Sequence, residues 1–282
     1  MKQYTRGEFL NRLNDKRRRG EPLIMGGAGI GLVAKAADRA GIDAIFIYNT
    51  GPFRMDGHGS LSGYLAYGDA NELTLQLGRQ VLRVVENTPV IGGIGAADPY
   101  RDIGRLLDEM MSLGFSGITN VPTAGLYDGT FRKHIDATNL GYPEEVKLVE
   151  LCHRRDVFTS VYGFTPDECR IMAEAGADII SPHVGLTSGG LIGARDVPSI
   201  DEACEKLEAM CQAARSVRPD LIVLAHGGPF EDPAAVRVAF ERTSVDGYLG
   251  ASSIERLPVE RAIQNIVEEF QALKPRCGRP AQ

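Results

Sequence analysis

The chain has 282 residues, 43% of them hydrophobic, and a formal net charge of −6 with no long basic run. That composition fills a large core and argues against a nucleic-acid or acidic-membrane partner, both of which are recognised through basic patches. Five widely spaced cysteines without a CxxC pair, a polar N-terminus and no run near the roughly 18 apolar residues of a membrane span point to a reducing cytoplasm.

In chain order, a helix is expected from about Thr5 to Arg18, ending in Lys16, Arg17, Arg18 and Arg19, where cations favour the helix dipole. The first strand is PLIMGGAG (22–29), followed by the helix GLVAKAADRA with Gly41 past its end. The second is DAIFIYNTG (43–51), then a Gly-rich connection and a helix over about 71–86. The third is PVIGGIG (89–95), with a helix from 98 or 99 to 113. The fourth is GITNVP (117–122), then a long loop to Gly141 and a helix over 143–154. The fifth is VFTSVYG (157–163), and the helix after it opens with Thr165 as N-cap, Pro166 and the capping-box Glu168. The sixth is DIISPHVG (178–185), followed by a loop and the helix 199–217. The seventh is LIVLAHGG (221–228), the eighth GYLGASS (247–253), and a last helix runs from about Pro258 to Leu273.

Continuous apolar strands alternating with helices indicate a parallel sheet wrapped by helices. Eight such units in about 250 residues is the count of a (β/α)8 TIM barrel with an extra N-terminal helix. The competing fold is a doubly wound open sheet, because GGAGIGLVA nearly matches a dinucleotide fingerprint. Tyr48 and Asn49, however, end strand two where an acidic residue would hold a ribose. One domain over residues 1–275 and a loose tail over 276–282, containing Cys277, are expected. Cys169, Cys204 and Cys211 fall in helical stretches as small core residues.

Three long loops, 51–70, 122–141 and 185–199, all follow strands and so crowd one face, the C-terminal mouth where barrel sites lie. The strand ends there carry the candidate chemistry. His226 is placed as the acid–base group. Tyr48, Asn49, Asn120 and Tyr162 are placed as donors to an oxyanion or enolate, and His183 stands beside them. The plain alternatives are a structural histidine and barrel-layer aromatics. Gly26, Gly27, Gly93, Gly227, Gly228, Gly250, Ala251 and Ser252 are read as an anion cradle, after the fold's usual phosphate position, against the alternative that they only turn and pack the chain. Arg54 and Arg195 could clamp an anion or be solvated loop charges. No lysine stands at a strand end, so a Schiff base lacks its nucleophile. His183 and His226 could share a metal if Asp69, Asp98 or Glu255 supplied a third ligand.

The blocks LIMGGAGIGLVAKAADRAGIDAIFIYNTG, TPVIGGIGAADP, ITNVPTAGLYDG, ISPHVGLTSGG, LAHGGP and GASSIER resemble the phosphoenolpyruvate hydrolase-like TIM-barrel family, and also the C-terminal part of plant tobamovirus-resistance proteins. The resemblance covers about residues 5–273. It implies a distant relation to phosphoenolpyruvate mutases and isocitrate lyases, which cleave or move C–P, C–O or C–C bonds beside a 2-oxo acid and hold magnesium through strand-end carboxylates. This chain departs from them in strand three, which reads GGIGAAD, and has no clear counterpart of the mutases' lysine-containing loop.

The expectation is therefore a cytoplasmic, homo-oligomeric barrel acting on a small anionic 2-oxo acid or its phosphorylated or phosphono derivative, as a hydrolase or lyase working through an enolate. The cofactor is left open, with a divalent metal (Mg, Mn or Zn) as the candidate. The alternatives are a His-ligated metal-dependent C–C lyase or oxygenase, and a non-catalytic barrel that binds a metabolite or partner.

Overall fold

The computed structural model describes residues 2–274. Eight parallel strands close into one barrel in sequential order. They are β1 (Leu23–Gly27), β2 (Ala44–Ile47), β3 (Val90–Gly93), β4 (Gly117–Thr119), β5 (Phe158–Gly163), β6 (Ile179–Pro182), β7 (Ile222–Ala225) and β8 (Gly247–Gly250). The helices are α1 (Arg6–Arg18), α2 (Gly31–Arg39), α3 (Thr50–Met55), α4 (Ala70–Val81), α5 (Ile103–Leu113), α6 (Gly129–Ala137), α7 (Tyr142–Arg154), α8 (Pro166–Glu174), α9 (Ile200–Val217), α10 (Pro233–Arg242) and α11 (Arg256–Gln271). All eight expected strands are present; the open sheet is not. Cys277 and the expected tail lie outside the described residues.

The basic end of α1 does more than favour its own dipole. An aspartate stands just before β2, β6 and β8, and each accepts the first free N–H of a neighbouring strand: Asp43 from Ile24, Asp178 from Thr159, Asp246 from Val223. From α1, Lys16 pairs with Asp43 at 2.7 Å, Arg6 with Asp178 at 2.8 Å and Arg17 with Asp246 at 2.9 Å. Phe9 and Leu13 of the same helix are fully buried, and the Phe9 ring lies 4.2 Å from that of Phe158 in β5. The helix thus closes the bottom of the barrel, and the top is left for the site.

Three boundaries differ from the sequence reading. The connections 51–70 and 122–141 are not plain loops: the first contains α3 and a 3₁₀ turn (Ser60–Tyr64), the second a 3₁₀ turn (Ala124–Leu126) and α6. Helix α4 stops at Val81 rather than near 86. The buried Asp38 carboxylate accepts from the N–H groups of Glu86 and Asn87 and from the Thr88 hydroxyl, so those residues leave the helical path. Helix α11 starts at Arg256, two residues before Pro258, because a first-turn proline removes an N–H that has no helical partner.

Candidate active site

Residues 48, 162, 183 and 226 stand at the C-terminal ends of β2, β5, β6 and β7, and their side chains meet in one small cavity of about 50 Å³. Its walls also include Arg54, Thr50, Ser60, Tyr64, Thr187, Ala251 and Ser252. The Tyr162 ring centroid lies 4.8 Å from that of His226, and the two imidazoles are 5.0 Å apart.

The proton inventory of the two histidines follows from their partners. His226 Nδ1 lies 2.7 Å from the Leu249 carbonyl oxygen. A carbonyl only accepts, so Nδ1 carries the proton and Nε2 keeps its lone pair. Burial lowers the ring's pKa to about 4, against the Leu249 hydrogen bond, with Arg54 lowering it further. His183 is the converse. Its Nδ1 accepts the Gly185 N–H at 3.3 Å, so the neutral ring carries its proton on Nε2. Burial, then His226 and Lys206, hold it well below the usual histidine range. One ring is therefore a base and the other a donor.

The phenols are set up as donors. Burial pushes both Tyr48 and Tyr162 upward, so both stay protonated. The Tyr162 hydroxyl is buried beside that of Tyr48 and has no well-formed hydrogen-bond partner within the protein. Buried hydroxyls are ordinarily partnered, so an orphaned one beside a cavity is a ligand contact in waiting.

Arg54 is the feature the sequence reading left undecided. It is buried and donates through Nε and Nη2 to Glu255 Oε2, at 2.9 and 2.6 Å, and through Nη1 to Thr50 at 2.8 Å. Burial alone would lower its pKa; Glu255 outweighs that and keeps the guanidinium charged. Burial pushes the Glu255 carboxyl up, and Arg54 opposes that. Glu255 does not line the cavity, so the cavity meets the cation with the carboxylate behind it. Thr50 and Arg54 stand four apart on α3, which is why the sequence TGPFRM, once helical, points both the same way. Arg195 is exposed and takes no part.

Several expected members do not reach the cavity. Asn120 is buried with its amide fully engaged, Nδ2 to Glu145 at 2.5 Å and Oδ1 from the Tyr162 N–H at 2.8 Å. Asn49 donates to the Gly63 carbonyl at 2.6 Å and so holds the 3₁₀ turn beside the cavity. Both are scaffold rather than enolate donors. The glycine cradle is also corrected. Gly227 and Gly228 have φ of +81° and +58°, and the Gly228 N–H donates to the Gly185 carbonyl at 2.7 Å. A Cβ on Gly227 would sit 2.2 Å from that carbonyl oxygen. These glycines let the β6 and β7 loops touch. Gly26 faces Ile254 and Ile42 outside the barrel, Gly27 packs on Ala251, Gly93 on Tyr48, and Gly250 on Tyr248 and Ser253. Of that set only Ala251 and Ser252 line the cavity.

The side chains that could hold a metal are already engaged elsewhere. Among the described residues no three His, Cys, Asp or Glu side chains come together. Asp69 caps α4 and pairs with Arg101, Asp98 accepts from Asn71 and the Tyr100 N–H, and Glu255 is held by Arg54. The strand-three position reads Gly92, Gly93, Ile94, Gly95. A carboxylate-held magnesium does not fit this donor set.

A larger cleft of about 620 Å³ adjoins the cavity and shares Tyr64 and Thr123 with it. At its inner edge Glu145 is buried, accepts from Ala124 N–H, Thr123 and Asn120, and is still raised by burial to about 8. Nothing in the sequence marked Glu145; it reads as one of a helix's first-turn acids.

Closed barrel, plugged base and a polar cavity at the C-terminal mouth define a (β/α)8 protein with its site where barrel enzymes carry theirs. The chain belongs to the phosphoenolpyruvate hydrolase-like family, whose model matches residues 8–273. It is 44% identical over 266 residues to the ToMV resistance protein Tm-1(GCR237) of Solanum lycopersicum, a match covering 94% of this chain and 35% of the tomato protein. The chain thus spans about a third of that relative's length. The fold is shared with phosphoenolpyruvate phosphomutase from Streptomyces platensis subsp. rosaceus (TM-score 0.60, 14% identity, covering 95% of this chain and 86% of that one). It is shared equally with a phosphonopyruvate hydrolase solved with oxalate and Mg++ (TM-score 0.60, 16% identity, covering 95% and 87%).

Proposed function

We propose that this barrel is an enzyme for a small 2-oxo acid or a phosphorylated or phosphono derivative, cleaving it as a hydrolase or lyase through an enolate. One observation carries the reading: a proton-accepting His226 Nε2, a proton-donating His183 and an unpartnered Tyr162 hydroxyl share one cavity with a charged Arg54. Arg54, with the Thr50 and Ser60 hydroxyls, holds the substrate's carboxylate. His226 Nε2 takes or returns the proton at the carbon next to the carbonyl. Tyr162 and His183 donate to the oxygen on which the enolate charge gathers, and Tyr48 supports that charge from β2. With a pKa near 4, His226 is a weak base in the empty cavity. A bound anion raises it, because it cancels the Arg54 charge that holds it down. The described cysteines Cys152, Cys169, Cys204 and Cys211 are buried free thiols, which supports a cytoplasmic setting. No helix among the described residues is long and apolar enough to cross a membrane.

The test is a thermal-shift screen with phosphoenolpyruvate, phosphonopyruvate, pyruvate, oxalate and phosphate, each with EDTA, Mg, Mn or Zn. A ligand at 100 times its Kd adds about 2.7 kcal/mol of stability, so binding will register. A shift by a 2-oxo acid or oxalate that survives EDTA supports the reading. A shift only with zinc would instead favour the two histidines as metal ligands, and no shift with any acid would sink the substrate class. Tyr162→Phe provides a second check. It removes an unpartnered hydroxyl, so stability is expected to hold or rise by up to about 1 kcal/mol, while turnover of whichever acid binds falls ~10²-fold.

A further inference from the structure

The cavity that holds His226 and Arg54 has a volume of about 50 Å³. A benzene ring already needs ~150 Å³, so this cavity takes only the reacting end of an acid. The cleft beside it, at about 620 Å³, is of the size that holds a whole metabolite, roughly 300–1,000 Å³. Tyr64 and Thr123 line both, so the two spaces meet at a waist between those residues. The cleft is preformed. The Tyr127 hydroxyl donates to the Tyr64 carbonyl at 2.5 Å, and the Asn71 amide donates to the Gly95 carbonyl at 3.2 Å and accepts the Gly95 N–H at 2.8 Å. The loops after β2, β3 and β4 are thereby tied to one another.

The cleft's chemistry is apolar and aromatic. Leu65, Tyr100 and Leu140 line it, yet stand 57%, 92% and 48% exposed. Large apolar side chains gathered in solvent around one concavity mark a binding site. Tyr64 and Tyr127 add ring edges and faces that suit another ring. Arg101, the cation among the described residues that line the cleft, is held by Asp69 at 2.7 Å and Asp98 at 2.9 Å. It is therefore not free for a second carboxylate or phosphate. Glu145 stands at the inner edge of the cleft, buried, with its oxygens bonded to Thr123, Ala124 and Asn120. Burial raises its carboxyl to about 8, so at neutral pH it is mostly protonated and sets little charge against a chain passing the waist.

We infer that cavity and cleft are one site, and that the substrate is a 2-oxo acid bearing an aryl substituent. Its acid end lies in the cavity beside Arg54, its chain passes between Tyr64 and Thr123, and its ring lies in the cleft. The inference rests on the reaction proposed above, whose small acid is here the reacting end. A ligand confined to the cavity would leave the apolar walls of the cleft in water, and the ring removes that contact.

The experiment is calorimetric titration of the full chain with 2-oxobutanoate and with 4-phenyl-2-oxobutanoate, which differ only by the ring, and with oxalate. The expected result is a Kd about 10- to 100-fold lower for the aryl acid, the usual gain from burying a ring. Ala97→Phe fills the cleft from the β3 loop, and Leu65→Asp puts a charge on its wall. Each is expected to bring the ratio of the two Kd values toward one. Leu65 is exposed, so its variant carries the test even where the added ring at Ala97 disturbs folding. Equal wild-type affinity for the two 2-oxo acids overturns the inference and leaves the proposed reaction standing. A ratio that survives Leu65→Asp and a folded Ala97→Phe puts the ring outside the cleft and overturns it as well. Binding of neither 2-oxo acid nor oxalate brings down the reaction itself, and the inference with it.

Discussion

Arg54→Met is expected to destabilise the protein by about 3–5 kcal/mol, the usual loss when one partner of a buried ion pair is removed. The reason lies with the residue left behind. Glu255 is fully buried, and its Oε2 accepts two of the Arg54 N–H groups. Without the guanidinium, that carboxylate must stay charged in an apolar setting or take up a proton, and either is unfavourable relative to water. At roughly 2–4 °C per kcal/mol for a chain near this size, the melting temperature should drop by on the order of 10 °C. Arg54→Met/Glu255→Leu removes both charges and is expected to recover most of the loss, since apolar residues of similar volume can replace a buried pair at little cost. Calorimetry on the two single variants and the double gives the coupling directly. Additive losses would mean that the two side chains act independently, and the account of Arg54 as a charge held from behind by Glu255 would be wrong.

That pair also marks the limit of what the sequence made legible. The eight strands were readable because each is a short continuous apolar run, and a parallel barrel strand buried on both faces leaves no other pattern. Tyr48, Tyr162, His183 and His226 were readable because they end such runs, and a strand end in a barrel points to the mouth. Arg54 and Glu255 are 201 positions apart and sit on no strand; only closure of the ring, which sets β1 beside both β2 and β8, brings α3 against the start of α11. Asn120 and the glycines misled for a related reason. A polar or small residue at a strand end is equally suited to touching a ligand or to joining two loops, and the choice rests on which neighbour's carbonyl or N–H is already there. Gly228 found Gly185, and Asn120 found Glu145 and Tyr162.

Stability is expected to depend on His226 in a defined acid window. Its ring titrates near 6.5 in an unfolded chain and at about 4 in the folded protein. Between those values the unfolded chain binds more protons than the native one, so the histidine's contribution is intact above about pH 6.5 and is lost as pH falls toward 4. At 1.36 kcal/mol per unit the full loss is about 3 kcal/mol, of which about 2 kcal/mol has gone by pH 5. His183, also held low, acts in the same direction. Glu145 acts in the opposite one. Raised to about 8 from 4.5, it keeps its proton in the fold while the unfolded chain ionises, so its contribution weakens as pH rises through 4.5 to 8. The opposing slopes overlap between about pH 4.5 and 6.5, and the wild-type curve alone will look shallow there. His226→Asn separates them, since the Asn amide can still donate to the Leu249 carbonyl but does not titrate. Urea unfolding of wild type and variant at pH 7, 6 and 5 should give a difference that shifts by about 2 kcal/mol in the variant's favour on acidification. A difference that stays flat would mean that the ring titrates alike in the folded and unfolded chain, and the burial that holds the His226 pKa low would be wrong.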